Sequence, residues 1–253
     1  MPRLFEHLAE WQRERRELDR AAATIGLVPT MGALHAGHRA LLERARAEND
    51  RVVLSIFVNP TQFDDPEDLA RYPRTLAADL ALADGLADAV LLPLPAELYA
   101  DNYHYRVTET ALSARWEGAQ RPGHFDGVLT VVLKLLNLVR AHRAYFGEKD
   151  WQQLQLIRGL AQAFFLPTEI VPCATVGEAD GLALSSRNRR LSPAGRARAA
   201  LFPATLRGFA DPAAAAGALR GAGFGVDYVE DHAGVRLGAV RLEGIRLIDN
   251  VRL

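Results

Sequence analysis

One stretch limits what this chain can fold into: Ile25-Gly-Leu-Val-Pro-Thr-Met-Gly-Ala-Leu-His-Ala-Gly-His38, continued by Arg39-Ala-Leu-Leu-Glu-Arg-Ala-Arg. Thr24 to Val28 is a short apolar run of the kind that forms a buried strand. Pro29 is read as the stop of that run, and Gly32 and Gly37 loosen the turn behind it. From Gly37 onward, Ala40, Leu41, Leu42 and Ala45 recur at helical spacing. The stretch predicts a strand that passes through a glycine-containing turn into a helix, with His35 and His38 at the helix mouth. The free N–H groups and partial positive charge of a helix N-terminus suit a phosphate, and Gly37 is expected to let an anion approach the backbone. Gly32 and Gly37 have the glycine spacing of a P-loop, but His38-Arg39 replaces the required Lys-Ser/Thr, and no G-x-G-x-x-G occurs. Three readings of His-x-Gly-His stay open: donors over a phosphate chain, a metal pair, or polar residues at a helix cap. No third ligand stands nearby, and a glycine between the histidines favours close ligand approach.

The rest of the chain extends this unit. Arg51 to Val58, Ala89 to Leu92, Ala144 to Phe146 and Thr168 to Val171 read as apolar strands. They alternate with helical patterns over 75–87, 127–139 and 151–164. Residues 3–20 read as an amphipathic helix with Leu4, Leu8, Trp11 and Leu18 on one side, and Tyr103 to Val107 as an edge strand. Buried strands alternating with helices predict a doubly wound parallel α/β sheet. Beyond Cys173 the composition turns rich in Ala, Gly and Arg, with two helices over 193–222 and short strands at 226–229 and 246–248. The expected organisation is a main domain over 1–174 and a smaller α+β domain over 175–253, a division that 253 residues allow. The net charge of −1 gives no reason to expect nucleic acid or an anionic membrane as partner. A single cysteine excludes an internal disulfide, and no apolar run approaches a membrane span, so a cytoplasmic protein is expected.

Polar clusters follow the strand ends, where open α/β sheets bind ligands. Asn59 and Gln62, beside Phe57 and Phe63, suit a small substrate with hydroxyls and a carboxylate, or make a turn forced by Asn59-Pro60. Gly147-Glu-Lys-Asp150 enters a helix with Lys149 as a mobile cation and Gln153 one turn inside; the alternative is a capped helix start with solvated charges. Arg121-Pro-Gly-His-Phe-Asp-Gly127 is a rigid loop with the same ambiguity. Leu184-Ser-Ser-Arg-Asn188 reads as a phosphate-gripping loop or a polar linker.

Taken together, these motifs resemble, in order and approximate spacing, those of the pantoate–β-alanine ligase family, within the broader Rossmann-like nucleotidyltransferase superfamily that shares His-x-Gly-His. Arg246-Leu-Ile-Asp-Asn250 also resembles that family's C-terminus. The resemblance implies an ATP-dependent ligase: the pantoate carboxylate attacks the ATP α-phosphate, giving pantoyl adenylate and pyrophosphate, and the β-alanine amine then displaces AMP. It implies that Met31, Gly32, Ala33, Leu34, His35, Ala36, Gly37 and His38 bind ATP, with His38, His35 and Lys149 as the catalytic group. Gly147, Glu148, Lys149 and Asp150, then Val176, Leu184, Ser185, Ser186 and Arg187, would complete the ATP site, the latter from a lid-like second domain. Gln62 and Gln153 would hold pantoate, with β-alanine near Gln62. No protein side chain is assigned to a metal. Mg²⁺ would travel with the ATP phosphates, Asp79 being either an outer ligand or a solvated helix residue. A homodimer is implied. Two departures stand out: Leu184 replaces the usual Met, and the C-terminal part is short, with a compressed segment around Glu230.

Overall fold

In the computed structural model, which describes all 253 residues, the predicted apolar runs form one parallel sheet. Its strands are β1 (Arg3–Phe5), β2 (Ile25–Thr30), β3 (Arg51–Ile56), β4 (Ala89–Leu91), β5 (Arg143–Gly147) and β6 (Glu169–Cys173). They lie in the order β1-β4-β3-β2-β5-β6. The helices of this part are α1 (Leu8–Arg20), α2 (Ala36–Glu48), α3 (Pro66–Arg71), α4 (Leu76–Ala83), α5 (Pro95–Leu98), α6 (Trp116–Gln120), α7 (His124–Val139) and α8 (Trp151–Ala163). Alternation along the strands feeds two cores. Ile25, Leu27 and Val53 pack with Trp11 of α1, Leu129 of α7 and Ile157 of α8. Val28, Val52 and Leu54 pack with Leu42 of α2 and Ala83 of α4. Both sheet faces are therefore covered, and the doubly wound class is observed.

The strand order fixes where chemistry can happen. The chain runs outward from β2 through β3 to β4, then returns to place β5 on the other flank of β2. This reversal is the topological switch point, and ligands bind outside the carboxyl ends of the strands there.

Three local expectations are corrected. Arg3–Phe5 is not helical but forms the edge strand β1, with Phe5 buried edge-on against Trp11 at 5.4 Å between ring centroids. Leu4, expected on the apolar side, is exposed. Tyr103 to Val107 is not a strand: Asn102 and Tyr103 turn through φ of 53° and 61°, and the Tyr103 ring packs edge-on against Tyr99. Pro29 does not end its strand. β2 pairs with β5 only at Gly26 and Leu27, so the missing N–H falls where just β3 is alongside.

The chain divides into two compact units. The first comprises Met1–Leu34, His38–Gly147 and Gln152–Cys173; the second comprises His35–Gly37, Glu148–Trp151 and Ala174–Leu253. In the second unit three helices rather than two, α9 (Pro193–Ala199), α10 (Leu201–Gly208) and α11 (Pro212–Gly221), accompany an antiparallel sheet. The sheet is β7 (Gly225–His232), β8 (Val235–Leu242) and β9 (Ile245–Arg252), in that order. Phe202, Leu206, Leu219, Val240, Leu247 and Val251 form its core. The compressed segment is a minimal hairpin. Ala233-Gly234 turns with φ of 49° and 75°, and Glu243-Gly244 with 53° and 76°, the left-handed pair that two-residue hairpin loops need.

Candidate active site

Directly after β2 the backbone turns left-handed twice, at Gly32 (φ 82°) and Ala33 (φ 52°). For alanine this costs roughly 1–2 kcal/mol. The side chain of Asp79, on α4, offsets it: Oδ2 accepts the Ala33 N–H at 3.1 Å and Oδ1 the Leu34 N–H at 2.8 Å. Such bonds to a charged acceptor contribute about 1.5–3 kcal/mol each, so the turn is held. Thr30 adds a second tie, its hydroxyl donating to Ser55 O and accepting the Gly32 N–H. Asp79 is thus neither of the things expected of it. It is 2% exposed, with both oxygens committed to the turn and to the Thr75 hydroxyl, and is placed neither as a metal ligand nor in solvent. No group of three or more His, Cys, Asp or Glu side chains is clustered as a metal site.

The loop after β3 brings Gln62 to the same turn: its Nε2 donates to Met31 Sδ at 3.2 Å. Gln62 Oε1 accepts from Asn59 Nδ2 at 2.9 Å, while Asn59 Oδ1 accepts from the hydroxyls of Tyr99 and Thr61. Burial pushes the Tyr99 phenol up to about 12, so it stays a donor. Asn59, expected to face a ligand, is 1% exposed and holds the Gln62 amide instead. The Gln62 carbonyl is gripped by the loop left ambiguous in the sequence. His124 Nδ1 lies 2.7 Å from it and Arg121 Nη2 3.3 Å. A carbonyl only accepts, so His124 Nδ1 carries the proton. Its Nε2, 3.2 Å from Arg121 Nη1, is then the acceptor. Burial, then the Arg121 charge, push the His124 pKa down to about 4, which keeps this tautomer neutral. Gly127 makes the approach possible: a Cβ there would lie 2.4 Å from Thr61 O.

His35, at the mouth of α2, accepts the Gly37 N–H on Nδ1 at 3.1 Å, leaving its proton on Nε2. Burial, then the charges of Lys149 and Arg189, hold its pKa below the ordinary histidine value. His35 is therefore a neutral donor. The space expected to be open above Gly37 is taken by this ring, 2.9 Å from where a Cβ would stand. Lys149 lies in the single 3₁₀ turn Glu148–Asp150 between β5 and α8. A Cβ on Gly147, just before it, would meet nothing within 4 Å. Leu184 N donates to Val176 O at 3.0 Å, closing a short loop. Beyond it Ser185 caps the 3₁₀ helix Ser186–Arg190 by accepting the Arg187 N–H. Asn188, read with that phosphate-gripping set, turns inward instead: its Nδ2 donates to Glu178 Oε1 and Ala183 O.

In the first unit, the structure therefore groups Met31–Leu34, Gln62 and Gly147 at the carboxyl ends of β2, β3 and β5. Gln153 is the third residue of α8 and is partly exposed, with no hydrogen bond from its amide within the protein. In the second unit, the charges of Lys149 and Arg189 bear on His35.

The sequence profile of the family described as pantoate–beta-alanine ligase matches residues 3–252 of this chain. The chain belongs to the pantoate–β-alanine ligase family of enzymes. It is 51% identical over 254 residues to a pantothenate synthetase of Bdellovibrio bacteriovorus, covering all of both chains. A pantothenate synthetase of Coxiella burnetii is 49% identical, over 99% of this chain and 97% of its own. Among solved structures, a pantoate–β-alanine ligase from Francisella tularensis, complexed with beta-gamma ATP and beta-alanine, superposes with a TM-score of 0.94 at 36% identity. It covers 100% of this chain and 98% of its own. A pantothenate synthetase from Thermus thermophilus gives a TM-score of 0.90 at 42% identity, over 99% of each chain. The six-stranded parallel sheet with a small antiparallel sheet is this family's fold.

The sequence left Asp79, His124 and Arg121 without a firm role. Asp79 had only a weak signal: it lies one helical turn before Ala83, the other buried residue of its helix. His124 had no comparable mark, because its partner is a backbone carbonyl 62 residues away.

Proposed function

We propose that the chain condenses pantoate with β-alanine through a pantoyl-adenylate intermediate. A pantoate carboxylate oxygen attacks the α-phosphorus of ATP and pyrophosphate leaves. The β-alanine amine then attacks the acyl carbon, and AMP leaves. One observation carries this reading: the Met31–Leu34 turn and the Gln62 amide are in direct contact at the ends of β2 and β3. That adjacency suits a carboxylate held beside a nucleotide phosphate. The ATP and β-alanine of the Francisella complex support the same assignment.

In this reading Met31–His38, Gly147–Asp150, Val176 and Leu184–Arg187 bind ATP, and Gln62 and Gln153 bind pantoate. Reaction between two anionic partners needs positioning and neutralised charge more than a protein nucleophile. His35, neutral with its proton on Nε2, would donate to phosphate oxygens, and His38 and the Lys149 ammonium would meet the charge that develops on the leaving pyrophosphate. Mg²⁺ arrives on the ATP phosphates. A homodimeric, cytoplasmic enzyme, with residues 1–174 for ATP and pantoate and 175–253 as a lid, belongs to the same reading.

The deciding experiment is isotope exchange. With pantoate and Mg-ATP alone, the protein should exchange labelled pyrophosphate into ATP, and His38→Ala should lower that rate at least about a hundredfold, the scale of one transition-state contact. Exchange that required β-alanine would point to a concerted route. Near wild-type exchange by His38→Ala would remove the histidine from the phosphate site.

A further inference from the structure

The Arg246–Asn250 segment supplies no residue to the proposed reaction, yet it makes up most of β9. Along β9, Ile245, Leu247, Asp249 and Val251 are buried in alternation with the more open Arg246, Ile248, Asn250 and Arg252. Asn250 spends its amide on one place. Its Nδ2 donates to Glu148 O at 2.8 Å and to Lys149 O at 2.9 Å. Arg252 Nη2 pairs with Glu148 Oε1 at 2.7 Å, on the same turn. These two carbonyls belong to the peptide planes on either side of the Lys149 Cα. Each plane is rigid, so holding both oxygens sets φ and ψ of Lys149 and with them the direction of its side chain. A second group backs the arrangement. Asp249 is 5% exposed in an otherwise apolar row, its Oδ1 accepts the Asn250 N–H at 2.8 Å, and its Oδ2 has no hydrogen-bond partner. The charges facing this carboxylate are the cations Lys149 and Arg207. A buried carboxylate of this kind adds little stability by itself.

We propose that Asn250 is a positioning residue for adenylation, which aims Lys149 by clamping the two carbonyls that bracket it, with Asp249 as the buried counter-charge behind the turn. This rests on the reading of Lys149 as a phosphate contact. It gives the last strand of the chain a task in catalysis, although no β9 side chain is required to touch substrate.

The test is a double-mutant cycle on Lys149→Ala and Asn250→Ala, read by pantoate-dependent pyrophosphate exchange, with folding checked by thermal melting. Asn250→Ala should lower kcat/KM for ATP about ten- to a hundredfold, the effect of losing one or two such bonds, and leave pantoate affinity unchanged. In the Lys149→Ala background the same substitution should cost less than about threefold, because the group it aims is gone. If Asn250→Ala does not fold, Asn250→Ser, smaller but still a donor, takes its place in the cycle. Wild-type exchange by the Asn250 variant, or a loss that is fully additive with Lys149→Ala, overturns the proposal. A Lys149→Ala protein that exchanges normally overturns the Lys149 reading itself, which separates the two failures.

Discussion

Asp79 Oδ1 accepts the Leu34 N–H at 2.8 Å, so an acid 45 residues downstream holds the turn that the first parallel crossover leaves open. Oδ2 takes the Ala33 N–H, and the Thr75 hydroxyl donates to Oδ1 as well. The anion lies beneath the turn, where it organises donors rather than meeting phosphate.

Asp79→Ala should therefore act first on stability. It leaves two N–H groups without their acceptor and removes the support of a left-handed alanine, for a loss of about 2–5 kcal/mol. Urea denaturation measures this directly. Asp79→Asn should fall in the same direction by less, since its amide presents one donor to groups that are themselves donors. A change below about 1 kcal/mol in both variants would show that the turn is held by other means.

Gln62 and Gln153 should separate binding from folding. Either change to Ala should weaken pantoate about ten- to a hundredfold, the result of removing one well-placed pocket amide, with little effect on ATP. Gln62 is also tied to Asn59 and Met31, so its variant should melt lower than wild type, whereas Gln153→Ala should melt as wild type. Titration calorimetry with pantoate and a thermal scan distinguish the two. Unchanged pantoate binding in both variants would remove the proposed cradle.

Acid stability should carry two opposed contributions. His124 titrates near 4 in the folded protein and near 6.5 unfolded, so between those values the unfolded chain holds a proton that the native state lacks. Stability from this group is full above about 6.5 and is lost as pH falls towards 4, by up to about 3 kcal/mol. Asp249 runs the other way: burial raises it from 3.8 to about 6, so its contribution is present at low pH and is lost as pH rises through about 6. His124→Gln should accordingly be less stable than wild type at pH 7 and lose less on acidification. Asp249→Asn should gain on wild type at pH 7 and give up that gain by pH 4. Denaturation curves at pH 4, 5, 6 and 7 test both, and parallel curves for wild type and variants would refute the two assignments.

Much of the architecture was legible in the linear chain. Buried parallel strands are short continuous apolar runs, and the helices between them keep a clear apolar side, so β2 to β6 and α2, α7 and α8 could be read within a few residues. The motifs that end these strands named the family, because ligand-facing loops depend on residue type and order. What the sequence could not supply was partnership across distance. Residues 3–5 have weak local preferences and become a strand only because Ala89–Leu91 offers an open edge. Asp79, His124 and Asn250 look like ordinary polar residues until folding brings each to a particular backbone group: the Leu34 N–H, the Gln62 carbonyl and the two carbonyls around Lys149. Backbone donors and acceptors are the same at every position, so no residue pattern marks which one a distant side chain will hold. Residue chemistry determined the fold class and the family. Tertiary structure alone decided which polar side chains stand behind the strand-end turns and hold them still.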